Sequence, residues 1–587
     1  MRQLSLLSDL SIVLLSFEAH PVLKRSLLIA MIFLAAAFLT RRWVERPLRT
    51  IESTLSRCVA RPILPLVLLF FSVVAIRVGV LPLLRVPVPG IHDEYSYLLM
   101  GDTFAHGRLA NPPHPLWHSF DSFHINWLPT YSSIYPPAQG LVLAIGQLLG
   151  APWIGVLLST AAMCSAITWM LRVWLPTRWA FLGGTLAALK FGIASYWMNS
   201  YWGGAAAAIG GAMLLGALPR IARHPNLKNA VILGLGIALL ANSRPYEGLL
   251  FCIPAAIFLL WWLAGKTSRP ALAKNRARVL AAVLLIVIPA AAFMGYYNWR
   301  LTGHPFLLPH TLRTRTYHSS ALFLWQRPSA PIHYNNQQFE EFYNGWEREN
   351  YQHTGNDVKR VSEEKLDRLG STFLWWGALL LLPGLPFALY DKKMRLLLAT
   401  LIIGAVGVFA VIWSFPHYAA PFTGVVVALV VQSMRHLRTM RAAGWPMGKW
   451  LARAAVVLLV VDTGTLVAHR QCDALHWTCQ GDISRAVIQT KLEHTPGKHL
   501  ILVRYEPDNH NIHDEWVYNG AEIDGAKVLW ARELDEKHNA ALFAYFKDRH
   551  IWLVEPDSDN TELLPYVAVE RCSVLSPEFL RDLRCAE

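Results

Sequence analysis

Charge is scarce in this sequence. Asp, Glu, Lys and Arg make up 16% of its 587 residues, against about 25% in a soluble globular protein. A shortfall of that size excludes an ordinary soluble chain. The seven cysteines show no zinc-type spacing, which excludes a zinc finger or ribbon. There is no P-loop and no GxGxxG fingerprint, so no phosphate cradle of the nucleotide-binding kind is encoded. No internal repeat or low-complexity tract divides the chain. Residues 4–17 are apolar but lack a basic segment followed by a small-residue cleavage site, so no cleavable signal peptide is expected.

What is abundant is apolar sequence. Hydrophobic residues make up 54% of the chain, and the mean hydropathy is +0.31. They collect in runs of the length a bilayer requires, about 20 residues for a helix. Candidate spans are 26–40 (short), 63–84, 151–173, 178–198, 203–219, 229–243, 246–264, 279–297, 372–390, 396–413, 418–434 and 452–468. Segment 138–149 suits a re-entrant or interfacial helix. The net charge is +14, which invites a nucleic-acid reading, but the basic residues lie between apolar runs. Arg41, Arg42, Arg46, Arg49, Arg57 and Arg61 crowd the connection before 63–84, which the positive-inside rule makes cytoplasmic. Counting onward places Arg220/Arg223/Lys228, Lys392/Lys393/Arg395 and the 435–453 basics on that same side. Loops 85–137 and 298–371 and the tail then fall on the other. From Arg470 onward 13 Lys/Arg face 21 Asp/Glu, a net −8.

The expected architecture is therefore an all-α polytopic membrane domain of about 11–13 transmembrane helices, followed by a small extracytoplasmic α/β domain. Residues 1–62 form a short membrane segment with its basic connection. Residues 63–468 form the main membrane domain, and 469–587 the soluble domain. In the tail a helix is predicted at 482–494 and another at 538–548, with strands at 499–505, 515–519, 527–533 and 550–556. On an oxidising side Cys472, Cys479, Cys572 and Cys585 suit disulfides; their pairing stays open.

The first outer loop reads PGIHDEYSYLLMGDTFAHGRLANPPHPLWHSF. Asp93 and Glu94 are adjacent carboxylates just outside the membrane, where one is placed to act as general base on an acceptor hydroxyl. Asp93 equally suits a helix N-cap accepting from the Ser96 amide. Tyr95–Ala105 follows as an amphipathic stretch suited to the interface. Then comes Tyr135-Pro136-Pro137 and an apolar helix.

An outer loop with Asp-Glu, an interfacial helix, a Pro-Pro element and a further span resembles the GT-C glycosyltransferases, specifically the protein-mannosyltransferase and aminoarabinose-transferase group. The resemblance covers roughly residues 63–434. It implies Asp93 as catalytic base, with Glu94 at the second acidic position. Tyr135 stands where the family carries a more basic element. It further implies inverting transfer of a hexose or pentose from a polyprenyl-phosphate donor, without a metal or other cofactor.

Cations for the departing phosphate come next. Arg244, in ANSRPYEG at a predicted outer turn, is placed to clamp a phosphate or to pair with Glu247. Lys190, inside an apolar span, either snorkels or reaches the phosphate. Arg313 and Arg315 make the opening of the long loop basic. Tyr97, Tyr135, Asn199, Tyr201, His310 and His417 are candidates to line the substrate. In MNSYWGGAAAAIGG (198–211) the Gly/Ala run also permits close helix packing. His92, His114, His118 and His124 crowd the first loop, so a divalent metal is the alternative there, although their spacing fits no closed metal motif. The expected partners are a polyprenyl-phosphate sugar donor, membrane lipid, and an envelope glycan, lipid or protein acceptor, with no nucleic acid. The expected location is the inner membrane, with the C-terminal domain periplasmic. The competing reading is a transporter or flippase of a lipid-linked or polar solute. It calls for midplane binding residues and repeated halves, and neither is evident.

Overall fold

The computed structural model describes residues 28–29, 31–33, 35, 50, 59–265, 270–334, 336–350, 358–442, 444–472, 479, 481–506, 510–558 and 561–566. The short span at 26–40 and Arg41, Arg42, Arg46, Arg49 and Arg57 lie largely outside them, as do Cys572 and Cys585.

The membrane domain opens with α1 (Leu64–Gly79), followed by α2 (His92–Ala105), α3 (Pro137–Leu148), α4 (Pro152–Trp174) and α5 (Thr177–Phe191). Next come α6 (Ala205–Arg223), α7 (Leu227–Ala241), α8 (Pro245–Ala264), α9 (Pro270–Thr302), α10 (Pro309–Tyr317) and α11 (Val358–Phe373). After a tightly wound turn at Trp376–Gly384 and α12 (Leu385–Tyr390), α13 (Arg395–Ala410), α14 (Thr423–Leu437) and α15 (Met447–Ala468) complete it. Pro137, Pro152 and Pro245 sit in the first turns of α3, α4 and α8. There the missing N–H costs nothing and the fixed φ suits a helix.

Seven helices among the described residues are long and apolar enough to cross a membrane, or eight if the bent pair Val358–Phe373 and Trp376–Tyr390 is one span. Their number makes this a multi-pass membrane protein. Shorter helices answer to further expected runs: Leu64–Gly79 to 63–84, Thr177–Phe191 to 178–198 and Leu227–Ala241 to 229–243. A 93° bend at the start of run 372–390 separates Val358–Phe373 from Trp376–Tyr390. Helices α4 and α6 and the stretch Pro416–Leu437 form the buried centre, whereas α9 exposes Leu284, Leu285 and Ile288 on the periphery. The Gly/Ala run of α6 lets α7 approach closely: a Cβ on Gly210 would meet the Gly236 carbonyl oxygen at 3.1 Å.

The basic residues assigned to one side gather at one end of the bundle. Arg172 donates to the Arg61 and Pro62 carbonyls, Arg220 to that of Trp169, and Arg223 to that of Val173. The opposite end carries the first loop, the long loop and the α/β domain.

That domain is a four-stranded sheet. Strands Lys498–Val503, Val528–Arg532 and Arg549–Val554 run parallel with the first in the middle, and Leu564–Pro565 adds an antiparallel edge. Helices Ile483–His494 and Glu536–Tyr545 accompany it. The predicted strand at 515–519 is not formed. Its Trp516 and Tyr518 carbonyls accept from the Arg485 guanidinium instead of from a neighbouring strand. Cys472 and Cys479 are disulfide-bonded. Just beyond, Gly481 takes φ +63° where the chain crosses the first loop, and Asp482 donates its amide to the Pro89 carbonyl.

Helix α2 is not an interfacial helix with one wet face. Nine of its 14 residues are buried, because α3 covers one side and the α/β domain the other. Tyr95 stacks on Tyr518 at 4.3 Å, and Asp102 accepts from the Ala521 amide at 2.7 Å and from Gln147 at 2.7 Å. First loop and C-terminal domain share a single core.

Candidate active site

A cavity of about 1740 Å³ lies where the bundle end, both loops and the α/β domain meet. Asp93, His124, Tyr135, Asn199, Arg244 and His310 all line it.

Asp93 stands in the first turn of α2. The cap position belongs to Ile91, in extended conformation, without a side-chain cap, so Asp93 does not cap the helix. Its carboxylate turns instead to the Pro-Pro element: Tyr135 donates its hydroxyl to Oδ1, and His124 Nδ1 lies 3.6 Å from Oδ2 and 3.3 Å from the Tyr135 oxygen. A short hairpin pairing Ile125 with Ser133 brings His124 and Tyr135 together from its two ends. Ser96, one turn along α2, bonds both the His124 carbonyl (2.6 Å) and Ser133 (2.8 Å). His124 has φ +58°, uncommon for a side chain other than glycine and frequent at functional positions.

Burial alone raises the Asp93 pKa. The charge of His124 and the hydrogen bonds from His124 and Tyr135 outweigh it and hold the carboxyl below its usual range. Burial and the adjacent Asp93 push the Tyr135 phenol well up, so this residue remains a proton donor. Tyr97 stacks on Tyr135 at 4.3 Å and fixes its ring.

Glu94 faces away from the cavity. Its oxygens accept the backbone N–H groups of Gly90 (3.0 Å) and Tyr201 (2.8 Å). Burial pushes its pKa up to about 8 in spite of those bonds. It ties the start of α2 to the turn before α6.

Arg244 occupies the cap position of α8 and lies over the Tyr418 ring at 4.2 Å. Asn199 accepts from Arg77 at 2.8 Å and donates to the Ile193 and Ser195 carbonyls. Tyr201 donates to the Pro87 carbonyl, and His417 pairs with Tyr196 at 3.2 Å; both stand behind the cavity wall. Arg313 is fully buried, donates to the Ile125 and Ser122 carbonyls and stacks on Tyr317, thereby bracing the hairpin. Arg315 is exposed on α10, away from the cavity. Lys190 donates to the Ser371 carbonyl at 2.7 Å. Of the predicted cations, only Arg244 reaches the cavity wall.

Of the four histidines in the first loop, His92 and His124 meet edge-on with ring centroids 5.6 Å apart, while His114 and His118 have other partners. His92 stacks on Phe123, His114 bonds Asp524, and His118 stacks on Trp117. Among the described residues no group of three or more His, Cys, Asp or Glu is arranged to hold a metal ion. Sequence reasoning passed over Glu347, His318 and Trp346, which line the same cavity from the long loop. Only their spacing relative to a fold not yet known could have revealed them.

No family model matches the chain, and no curated protein matches it. Among solved structures it is similar to the archaeal oligosaccharyltransferase AglB from Archaeoglobus fulgidus in complex with an inhibitory peptide and a dolichol-phosphate. That match has 12% identity and a TM-score of 0.41, and covers 83% of this chain and 69% of the other. It is also similar to ArnT from Cupriavidus metallidurans. The apo form gives 14% identity and a TM-score of 0.43 over 84% and 93% of the two chains. The form bound to undecaprenyl phosphate gives 13% and 0.45 over 87% and 95%.

Proposed function

We propose that this chain is a GT-C-type membrane glycosyltransferase that moves a sugar from a polyprenyl-phosphate donor to an acceptor hydroxyl, with Asp93 as the base. The observation carrying this reading is the Asp93 carboxylate, held ionised by Tyr135 and His124, on the wall of a cavity that also presents Arg244. Leu83, Leu84, Val86 and Leu322 line the same cavity, giving a lipid chain an apolar approach from the bundle.

In the reaction, the acceptor oxygen attacks the anomeric carbon while its proton passes to Asp93. The bond from that carbon to the phosphate oxygen breaks, and the electron pair leaves on the phosphate. Arg244 offers planar, bidentate donors to that developing charge. A carboxylate below its usual pKa range is a weak base. An acceptor hydroxyl that takes the place of Tyr135 donates its own hydrogen to Asp93, and that is the proton the carboxylate removes as the oxygen attacks. Glu94, Arg313 and Tyr97 act in this reading by holding the site's shape.

The cavity then faces the extracytoplasmic side of an inner membrane, with the α/β domain as its roof and an envelope glycan, lipid or protein as acceptor. The deciding experiment supplies purified protein with radiolabelled polyprenyl-phosphate sugars and an envelope extract. Label transfer by wild type that disappears in Asp93→Asn supports the proposal; equal transfer by both removes Asp93 from the mechanism.

A further inference from the structure

On the wall built by the long loop, the cavity holds a second polar group, distinct from that of Asp93. His318, at the C-terminal end of α10, sets Nδ1 2.8 and 3.1 Å from the two oxygens of Glu347. Both side chains are largely buried. A ring nitrogen facing a carboxylate carries a hydrogen, so Nε2 is the atom left for another partner. That Nε2 is buried and has no hydrogen-bond partner among the described residues. Glu347 ends a wide helical turn, Glu340–Glu347, of the π type, a rare conformation that is frequent at functional sites.

Aromatic surface adjoins this pair. Trp346 stacks on Trp413 at 5.0 Å, and both line the cavity. The Trp413 indole N–H is likewise buried without a hydrogen-bond partner among the described residues. His310 links this group to the reaction centre. Its ring lies 6.4 Å from that of His318, and it is electrostatically coupled to both Glu347 and Asp93.

A carboxylate that accepts from hydroxyls, an imidazole nitrogen and an indole N–H with unused capacity, and flat apolar rings beside them match one ligand chemistry. A sugar ring offers a fan of hydroxyls on its rim and an apolar C–H face for stacking. We infer that Glu347, His318, Trp346 and Trp413 form a sugar-binding subsite within the cavity, His310 standing between it and Asp93. This deepens the transferase reading, on which its place in a reaction rests. The sugar is either the one carried by the donor or a residue of a glycan acceptor, and the test separates the two.

The full chain in lipid nanodiscs is titrated with methyl glycosides of mannose, glucose, galactose and arabinose, and binding is read by saturation-transfer NMR. At least one glycoside is expected to bind wild type. Glu347→Gln and Trp346→Ala are each expected to weaken it about tenfold or more, the loss of a hydrogen bond to a charged group or of a stacking face. Trp346→Phe, which keeps a ring, recovers part of the loss, and His318→Gln serves as a second polar variant. Thermal midpoints close to wild type show that the variants are folded.

This arm involves no turnover, so it stands whether or not the chain transfers sugar. Absence of binding to wild type by every glycoside at about 100 mM, a concentration far above that of ordinary sugar sites, overturns the inference. So do folded Glu347→Gln and His318→Gln variants that both bind like wild type. In the transfer assay a raised KM for the lipid-linked donor assigns the subsite to the donor's sugar. A raised KM for the acceptor assigns it to a glycan acceptor.

Discussion

Tyr135 donates its hydroxyl hydrogen to the Asp93 carboxylate across a gap of 42 residues in sequence. The Pro-Pro element is thereby joined to the acidic pair of the first loop, and the state of the proposed base depends on a residue outside its own helix.

Removing that bond has a defined sign. Asp93 in the folded protein lies below its ordinary value, so it stays charged down to pH values under the ordinary carboxylate pKa, about 3.9. The stability it contributes is present above the unfolded value and is lost as pH falls through the lower folded one. Tyr135→Phe is expected to move the acid limb of the transfer rate upward in pH. Asp93→Asn is expected to cut the rate by about 10²–10⁴-fold at all pH values. Rate–pH profiles of the two variants check both; an unmoved limb in Tyr135→Phe would show that this bond does not set the charge of Asp93.

Glu94 runs the other way. Its folded pKa of about 8 stands above the reference 4.5, so the folded state holds a proton that the unfolded state releases between those values. Stability then falls as pH rises from about 4.5 to 8. Glu94→Gln removes this slope but leaves one of two buried amides without an acceptor, costing about 1–3 kcal/mol. Thermal midpoints in detergent should show wild type ahead at pH 5, with the gap narrowing by pH 8. A gap that widens contradicts a proton on Glu94.

Arg244 is the predicted cation on the cavity wall. Arg244→Lys keeps the charge but loses the planar donor pair and the stacking on Tyr418. On the proposed function it is expected to weaken binding of a polyprenyl phosphate about tenfold, and Arg244→Ala further, with each 1.4 kcal/mol counting as one factor of ten. Equal affinity in wild type and both variants, measured by titration in nanodiscs, would remove Arg244 from phosphate recognition.

Sidedness is open to a direct chemical test. Lys537 is exposed on the α/β domain, and Lys392 is exposed at the opposite end of the bundle. A membrane-impermeant maleimide should label Lys537→Cys in intact spheroplasts and Lys392→Cys only after permeabilisation, each judged against the wild-type background. The reverse pattern would place the cavity in the cytoplasm and deprive the proposed donor of access.

Much of this was legible in one dimension because membrane helices obey a local rule: about 20 apolar residues pay no penalty in lipid wherever they sit in the chain. Runs 151–173, 246–264, 396–413 and 452–468 therefore became helices within a few residues of their expected bounds. The tail helix at 482–494 did so through its Asp482 cap, and the strand at 527–533 as a short run buried along its whole length. Segment 515–519 did not, because its carbonyls found Arg485, a competitor 31 residues away for Trp516.

At the site, Asp93 and Arg244 were visible as charges at the edges of apolar runs, where ionisable groups are expensive. Glu94, equally visible and adjacent, turned its carboxylate toward backbone amides, since neighbouring positions on a helix point about 100° apart. His318 and Glu347 lie 29 residues apart in a loop that no periodicity marks.

By itself the sequence determined the membrane class, the helical runs, the uneven distribution of basic charge and the acidic pair, all of which depend on composition within a short window. Only the tertiary structure decided which carboxylate meets the cavity, which arginine braces a hairpin instead of facing a ligand, and that a histidine and a glutamate of the long loop share a wall with Asp93. Those outcomes rest on contacts between distant segments, whose directions are set by packing and not by any local pattern.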